Sequence, residues 1–277
     1  MHPTITLNTG AKMPQLGLGT WQAAPNEVGE SVRYALTEAD YKHIDCAANY
    51  ENEAEIGQVL AEVFSGGKVR REDIFITGKL LNTDHAPANV GQGCEKTLRD
   101  LQLDYLDLYL VHWGVALESY QGNTSNHSPK RARVPMHETW EAMEKLVDKG
   151  LAKAIGVSNF PVALLNDLLS YARILPAMNQ VEIHPYNTQE GLVKFCHDEG
   201  IAVTAYSPLG TPGNQSFLSS TSKETPLLLD HPTVNKIAKE YNKTPAQVLL
   251  RFAIERGLVC LAKSTHQERI LENSQVF

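Results

Sequence analysis

From Leu16 onward the chain alternates between short apolar runs that close on a polar residue and longer stretches whose apolar residues recur at three- and four-residue spacing. The first pattern suits a buried strand and the second a helix with one face on a core. Strands are expected near Leu16 to Gly19, Lys42 to Asp45, Ile74 to Lys79, Leu106 to His112, Ala152 to Val157, Met178 to Glu182, Ala202 to Ser207 and Val259 to Lys263. Helices are expected to fill the gaps, most plainly over Glu53 to Phe64, Asn89 to Leu101, Met136 to Lys149, Val162 to Tyr171, Gln189 to Glu199 and Thr244 to Glu255. Gly150, Gly200 and Gly257 stand where helices stop. Ahead of the repeat, Thr4-Ile5-Thr6-Leu7 and Ala11-Lys12-Met13-Pro14 flank Asn8-Thr9-Gly10 and predict an N-terminal β-hairpin. About eight β/α units in about 250 residues is the size of a closed (β/α)8 TIM barrel, and right-handed crossovers make its strands parallel. The rival is an open doubly wound sheet. Its dinucleotide fingerprint G-x-G-x-x-G is missing, because Gly17-Leu18-Gly19 runs on to Gln22 and Gly91-Gln92-Gly93 to Lys96.

A barrel of this kind carries its chemistry where strands end. Three expected strands close on Asp45, Lys79 and His112, and Tyr50 follows Asp45 on the next loop. A tyrosine has an ordinary pKa of about 10, so it gives up a proton near neutral pH only when a cation eases formation of its phenolate. Lys79 is that candidate cation, Asp45 would keep it charged in a partly desolvated pocket, and a neutral His112 could donate to a developing oxyanion.

Residues 1–277 show no Pro/Gly/Ser-rich linker or charge block and are expected to form one domain; Gln121 to Pro135 is polar and predicts a long loop. A net charge of −7 argues against a nucleic-acid partner and for a small molecule. Cys46, Cys94, Cys196 and Cys260 lack CxxC spacing and suit reduced core thiols. The start lacks a charged segment followed by an apolar one, and no apolar run approaches the roughly 20 residues of a membrane span. A soluble, cytoplasmic monomer is the expectation.

Seven motifs in order, Gly17-Leu18-Gly19-Thr20-Trp21, His43-Ile44-Asp45-Cys46-Ala47-Ala48-Asn49-Tyr50, Ile76-Thr77-Gly78-Lys79-Leu80, Leu110-Val111-His112-Trp113, Gly156-Val157-Ser158-Asn159-Phe160, Tyr206-Ser207-Pro208-Leu209-Gly210 and Lys263-Ser264-Thr265-His266, resemble the aldo-keto reductase family, with the aldose and aldehyde reductase branch nearest. The resemblance implies NADPH-dependent reduction of aldehydes and ketones to alcohols. Tyr50 would be the proton donor, Lys79 and Asp45 the pair that tunes it, and His112 the residue that orients the carbonyl. It further implies that Ser158, Asn159 and Gln180 hold the nicotinamide carboxamide, that Tyr206 stacks on the ring, and that Ser207, Leu209 and Thr211 line the pyrophosphate path. Thr20 and Trp21 would border the cofactor, and Lys263, Ser264, Arg269, Glu272 and Asn273 would grip its adenosine end. Trp21 and Trp113 would wall the substrate pocket with Tyr50 and His112. Lys263 and Arg269 flank Ser264 beside a helix start, a setting that suits a 2′-phosphate.

Each feature also has a plainer reading. Asp45 with Lys79 could be a structural ion pair, His112 a packed histidine, and Lys263 with Arg269 a solvated helix face; Lys130-Arg131-Arg133, which invites a phosphorylated-substrate reading, could be ordinary solvated loop charges. A cofactor-binding regulatory subunit would share the motifs without rapid turnover. A metal-dependent barrel hydrolase fits less well, since no HExxH stands at a strand end. The sequence departs from the family pattern at Gly78, Leu81 and Ala262. It stops at Phe277, ahead of the loop and helix with which relatives commonly close the pocket; an open substrate pocket is the expectation, the alternative being that the Gly114 to Val134 loop folds over the site instead.

Overall fold

The computed structural model describes residues 3–118, 130–211 and 226–277. The stretch 121–129 of the expected polar loop lies outside them. Strands β1 (Thr4–Thr6) and β2 (Lys12–Pro14) form the antiparallel hairpin, with Ile5 opposite Met13 and Gly10 at φ 84 in its turn. Eight parallel strands then close a barrel: β3 (Leu16–Gly19), β4 (His43–Asp45), β5 (Phe75–Leu80), β6 (Leu108–Val111), β7 (Ile155–Ser158), β8 (Met178–Glu182), β9 (Ala202–Tyr206) and β10 (Val259–Ala262). The last strand pairs with the first, Leu261 beside Gly17, so the sheet has no open edge.

Around it run α1 (Glu27–Thr37), α2 (Glu53–Ser65), α3 (Pro87–Leu101), α4 (Met136–Asp148), α5 (Val162–Tyr171), α6 (Glu190–Asp198), α7 (Pro232–Tyr241), α8 (Pro245–Glu255) and α9 (Gln267–Ser274). In α2, Ile56, Val59, Leu60 and Val63 make the buried stripe while Glu53 and Glu55 occupy the positive first turn. Helix α8 opens on a capping box in which Thr244 and Gln247 bond each other's backbone. Helix α3 begins at Pro87 rather than Asn89, because proline at the first helical position gives up an N–H that has no intrahelical partner anyway. Among the described residues two helices stand between β9 and β10, where only the one over Thr244 to Glu255 was plainly expected. Only Val234 and Ala238 of α7 are buried, too few to make a strong periodic signal.

Strand alternation sorts the side chains into two cores. Ile44, Ile76, Tyr109, Val111, Ile155, Val157, Val181 and Val203 pack outward against the helices. Phe75, Leu108, Leu110, Met178 and Val259 point inward and meet Leu7 and Met13 of the hairpin, which plugs the N-terminal end of the barrel. At the other end, continuing the same period of two leads to Asp45, Lys79, His112, Ser158, Gln180, Tyr206 and Lys263. Alternation thus delivers a polar inward side chain to the open mouth from every barrel strand but β3, which ends on Gly19.

Two glycines are required by close approach. A Cβ on Gly17 would lie 2.3 Å from Nδ1 of His43, so this glycine makes the room in which the His43 ring sits inside the barrel. A Cβ on Gly57 would lie 2.1 Å from the Asp100 carbonyl oxygen, and here the obstacle is backbone. Gly57→Ala is therefore expected to destabilise the fold by roughly 1–3 kcal/mol. Gly91→Ala in α3, where nothing lies within 4 Å, should be neutral or stabilise by up to ~1 kcal/mol. Denaturant midpoints check both, and equal effects at the two positions would contradict the close α2–α3 contact.

Burial also sets a pH dependence. His43 and His85 are pushed down to about 4 by burial, and Glu53, which accepts from Thr97 Oγ1 at 3.1 Å, is pushed up to about 7 by burial. Between the ordinary histidine pKa near 6.5 and about 4, the unfolded chain binds protons that the folded histidines refuse, so stability falls as pH falls. Glu53 works the other way: the folded state takes up a proton between about 7 and 4.5, and stability gains. Each effect is on the order of 3 kcal/mol across its window. The unfolding midpoint should fall from pH 6.5 to 4.5, and fall more steeply in Glu53→Gln. A variant that follows the parent curve would show that Glu53 does not titrate there.

Candidate active site

Lys79 closes the inward face of β5 with no exposed surface, and Asp45 at the end of β4 is 2% exposed. The ammonium uses all three of its protons: it donates to Asp45 Oδ1, to the Cys46 carbonyl oxygen at 3.0 Å and to the Tyr50 hydroxyl oxygen at 3.1 Å. Tyr50 comes within reach because a 3-10 turn, Ala48–Tyr50, follows β4 directly, and Glu51 at φ 56 then turns the chain into α2. The Tyr50 oxygen therefore accepts from Lys79, and its own proton is left to point at a ligand.

The electrostatics follow from burial and this pair. Burial by itself would lower Lys79, but Asp45 and Tyr50 outweigh it and the lysine stands above its ordinary value, a permanent cation. His112 is pushed down to about 3 by burial and then by Lys79, so it is neutral and able to donate. Tyr50 differs from the sequence expectation in sign. Burial raises it, Lys79 pulls it down, and the net direction is upward. Burial is the main reason Lys79 does not prevail, and the Asp45 charge adds to it by offsetting part of the lysine's field at the phenol. Tyr50 is therefore a protonated phenol whose proton loss Lys79 makes less costly than burial alone would.

The other predicted residues gather at the same mouth. The His112 ring stands edge-on to Tyr50, with centroids 5.8 Å apart, and stacks at 6.5 Å on Trp113, which is 47% exposed. Trp21, on the loop after β3, is half-buried. Thr20 donates to the Asp45 carbonyl oxygen at 2.8 Å and Asn52 to that of Thr20 at 2.8 Å, which ties the β3 and β4 loops together. Asn159 donates to the His112 carbonyl oxygen at 3.0 Å and to Ser158 Oγ at 3.1 Å, and accepts from the Tyr206 hydroxyl at 2.9 Å. Ser158 donates to the Gln180 carbonyl oxygen at 2.8 Å, and Gln180 Nε2 to Asp45 Oδ2 at 2.8 Å. Asn159, Ser207 and Thr211 sit at φ 62, 48 and 52, left-handed values uncommon away from glycine, which the surrounding structure must impose.

On the β10 side, Lys263 donates to the Gln22 carbonyl oxygen at 3.2 Å, and burial lowers it. Ser264 Oγ accepts from His266 N at 3.1 Å just ahead of α9, which carries Arg269, exposed, and Asn273, buried with an unpartnered Oδ1. Glu272 is already engaged, accepting from Thr244 Oγ1 at 2.7 Å. Leu209 packs partly buried against the helix-side core. The sequence reading missed the Cys46 carbonyl as an acceptor, and a main-chain group leaves no side-chain signal. It also missed the side-chain bond from Gln180 to Asp45, 135 residues apart. All four cysteines are buried free thiols. Among the described residues no group of three or more His, Cys, Asp or Glu could hold a metal ion, and no helix is long and apolar enough to cross a membrane.

Comparisons with known proteins agree with this geometry. The profile of the Aldo/keto reductase family matches residues 15–277. The chain is 49% identical over 285 residues to zebrafish (Danio rerio) aldo-keto reductase family 1 member A1-A, covering 100% of this chain and 85% of that one. It is 46% identical over 281 residues to the human family 1 member A1, covering 99% and 84%. A solved aldose reductase from Schistosoma japonicum superposes with a TM-score of 0.90 at 44% identity, over 99% of this chain and 87% of the other. With the motifs, the closed barrel and these matches in agreement, the chain belongs to the aldo/keto reductase family, oxidoreductases that act on carbonyl groups.

Proposed function

We propose that residues 1–277 act as a single-domain, monomeric, cytoplasmic enzyme that reduces aldehydes and ketones to alcohols with NADPH. The observation that carries this is the hydrogen-bond direction at Tyr50: its oxygen accepts from Lys79 at 3.1 Å, so its proton is available to a carbonyl oxygen. A bound nicotinamide supplies the hydride. As negative charge develops on the substrate oxygen, Tyr50 donates its proton and Lys79 stabilises the phenolate left behind. Neutral His112 donates to the same oxygen and fixes its position, a preorganised donor in a desolvated pocket. Trp21 and Trp113 give the substrate an aromatic wall.

The residues present fit the cofactor. Buried Ser158 and Gln180 and half-buried Asn159 offer hydroxyl and amide groups for the carboxamide, and Tyr206, whose hydroxyl donates to Asn159, offers an aromatic ring for the nicotinamide. Ser207, Leu209 and Thr211, on the loop after β9, would line the path of the diphosphate. The unpartnered Asn273 Oδ1 is an acceptor suited to the adenine amine. Lys263 and Arg269, with Ser264, supply cations and a hydroxyl for the 2′-phosphate, and Glu272 supports this end through Thr244.

Tyr50→Phe should lower kcat far more than tenfold while leaving NADPH affinity nearly unchanged, and Lys79→Met should be comparably inactive. Steady-state NADPH oxidation with a small aldehyde measures both, and a Tyr50→Phe variant that keeps over about a tenth of the parent kcat rules out this donor. Arg269→Ala should weaken NADPH binding roughly tenfold or more, as expected for one charge-assisted contact, and barely alter NADH binding. Equal losses for the two cofactors in a titration would assign Arg269 to the fold instead.

A further inference from the structure

Gln180 bonds a group it was not expected to touch. Its Nε2 donates to Asp45 Oδ2 at 2.8 Å, and the two residues are 3% and 2% exposed. Only the NH2 end of the amide can face a carboxylate oxygen, so the orientation of the side chain is forced and its Oε1 is directed elsewhere. We infer that Gln180 is a positioning residue for the proton donor: by occupying the second oxygen of Asp45 it leaves Lys79 free to bond Tyr50, and so couples the carboxamide site to the acid. This inference rests on the function proposed above.

The argument is one of hydrogen-bond supply. Asp45 has one oxygen on Lys79 and the other on Gln180, while Lys79 divides its protons among Asp45, the Cys46 carbonyl and Tyr50. With Gln180 removed, Oδ2 is a buried charged acceptor without a donor, and such a group draws on the nearest one. That donor is Lys79, and the proton most easily withdrawn is the one on Tyr50, because the Cys46 carbonyl is fixed by the strand end. Tyr50 would then lose the cation that eases its ionisation.

Gln180 is well placed to transmit occupancy. Its register in β8 is locked opposite Ser158 of β7, and its carbonyl oxygen accepts from Ser158 Oγ at 2.8 Å and Asn159 N at 2.9 Å. Asn159 in turn holds the His112 carbonyl and the Tyr206 hydroxyl. A ligand that meets these amides therefore presses on Asp45 through one hydrogen bond. The titratable groups around Tyr50 are Lys79, Asp45, Cys46, His112 and Tyr206, with Glu182 beyond Tyr206; His43 and Glu53 face the Asp45–Lys79 pair from below and from α2.

Two substitutions in the full chain separate this role from cofactor contact. Gln180→Glu keeps the shape and an acceptor oxygen but donates to Asp45 only when the carboxyl pair holds a proton. Gln180→Met donates at no pH. At saturating NADPH and a small aldehyde, kcat at pH 8 should fall about tenfold in both. As pH is lowered toward 5.5, Gln180→Glu should recover to within about threefold of the parent, while Gln180→Met should not. A second readout needs no turnover: in protein labelled at tyrosine 13Cζ, the Tyr50 resonance, identified by its loss in Tyr50→Phe, should move in both variants and return in Gln180→Glu at low pH. An unmoved Tyr50 resonance, or a loss confined to the KM for NADPH with kcat unchanged, overturns the inference. A parent chain inactive toward aldehydes would count against the proposed function, while the resonance would still decide the role of Gln180.

Discussion

A full positive charge with no exposed surface stands at the mouth of this barrel, and the arrangement around it answers the cost of keeping Lys79 there. Burying an unpaired ammonium costs several kcal/mol, and the penalty is offset only if a counter-charge and further acceptors meet every proton. Asp45 provides the charge; the Cys46 carbonyl and the Tyr50 hydroxyl complete the set. Two of these acceptors have tethers of their own, Thr20 and Gln180 on Asp45 and the short turn after β4 on Tyr50. The interaction that stabilises the lysine thus also fixes the direction of the tyrosine proton.

The same charge organises its neighbours. His112 stays neutral because burial and Lys79 both oppose a second cation, and a neutral imidazole is the form that can donate to an oxyanion without a large change in its own charge. Burial and then Asp45 outweigh the pull of Lys79 on Tyr50, so its phenol stays protonated beside a permanent cation. Below this layer His43 fills the space that Gly17 leaves, bonded to Thr77 Oγ1 at 3.1 Å, and beneath it the hairpin residues Leu7 and Met13 plug the barrel floor. A closed floor leaves the strand C-termini as the place where polar inward side chains collect.

Much of this was legible before any coordinates. Asp45, Lys79 and His112 announce themselves as polar residues ending apolar runs, and the barrel follows from counting those runs. Their roles, and nearly the whole cofactor assignment, came from the ordered motifs and not from composition or spacing. The second helix between β9 and β10 was hidden by its short buried stripe. The net direction of Tyr50 was hidden too, because it depends on a sum of burial and two opposing charges whose distances no sequence states.

What the sequence determined by itself was the alternation: periods of two and of three to four residues specify which elements form and which face of each strand is polar, since both periods are local properties of the backbone. What only the tertiary structure decided was which of those polar residues meet. Gln180 reaches Asp45 across 135 residues because barrel closure sets a register that brings β8 across from β4, and a hydrogen bond is made at 2.8 Å or not at all. The periodicity can place a glutamine on the inner face of a strand, but which carboxylate it touches is settled by the geometry of the closed sheet.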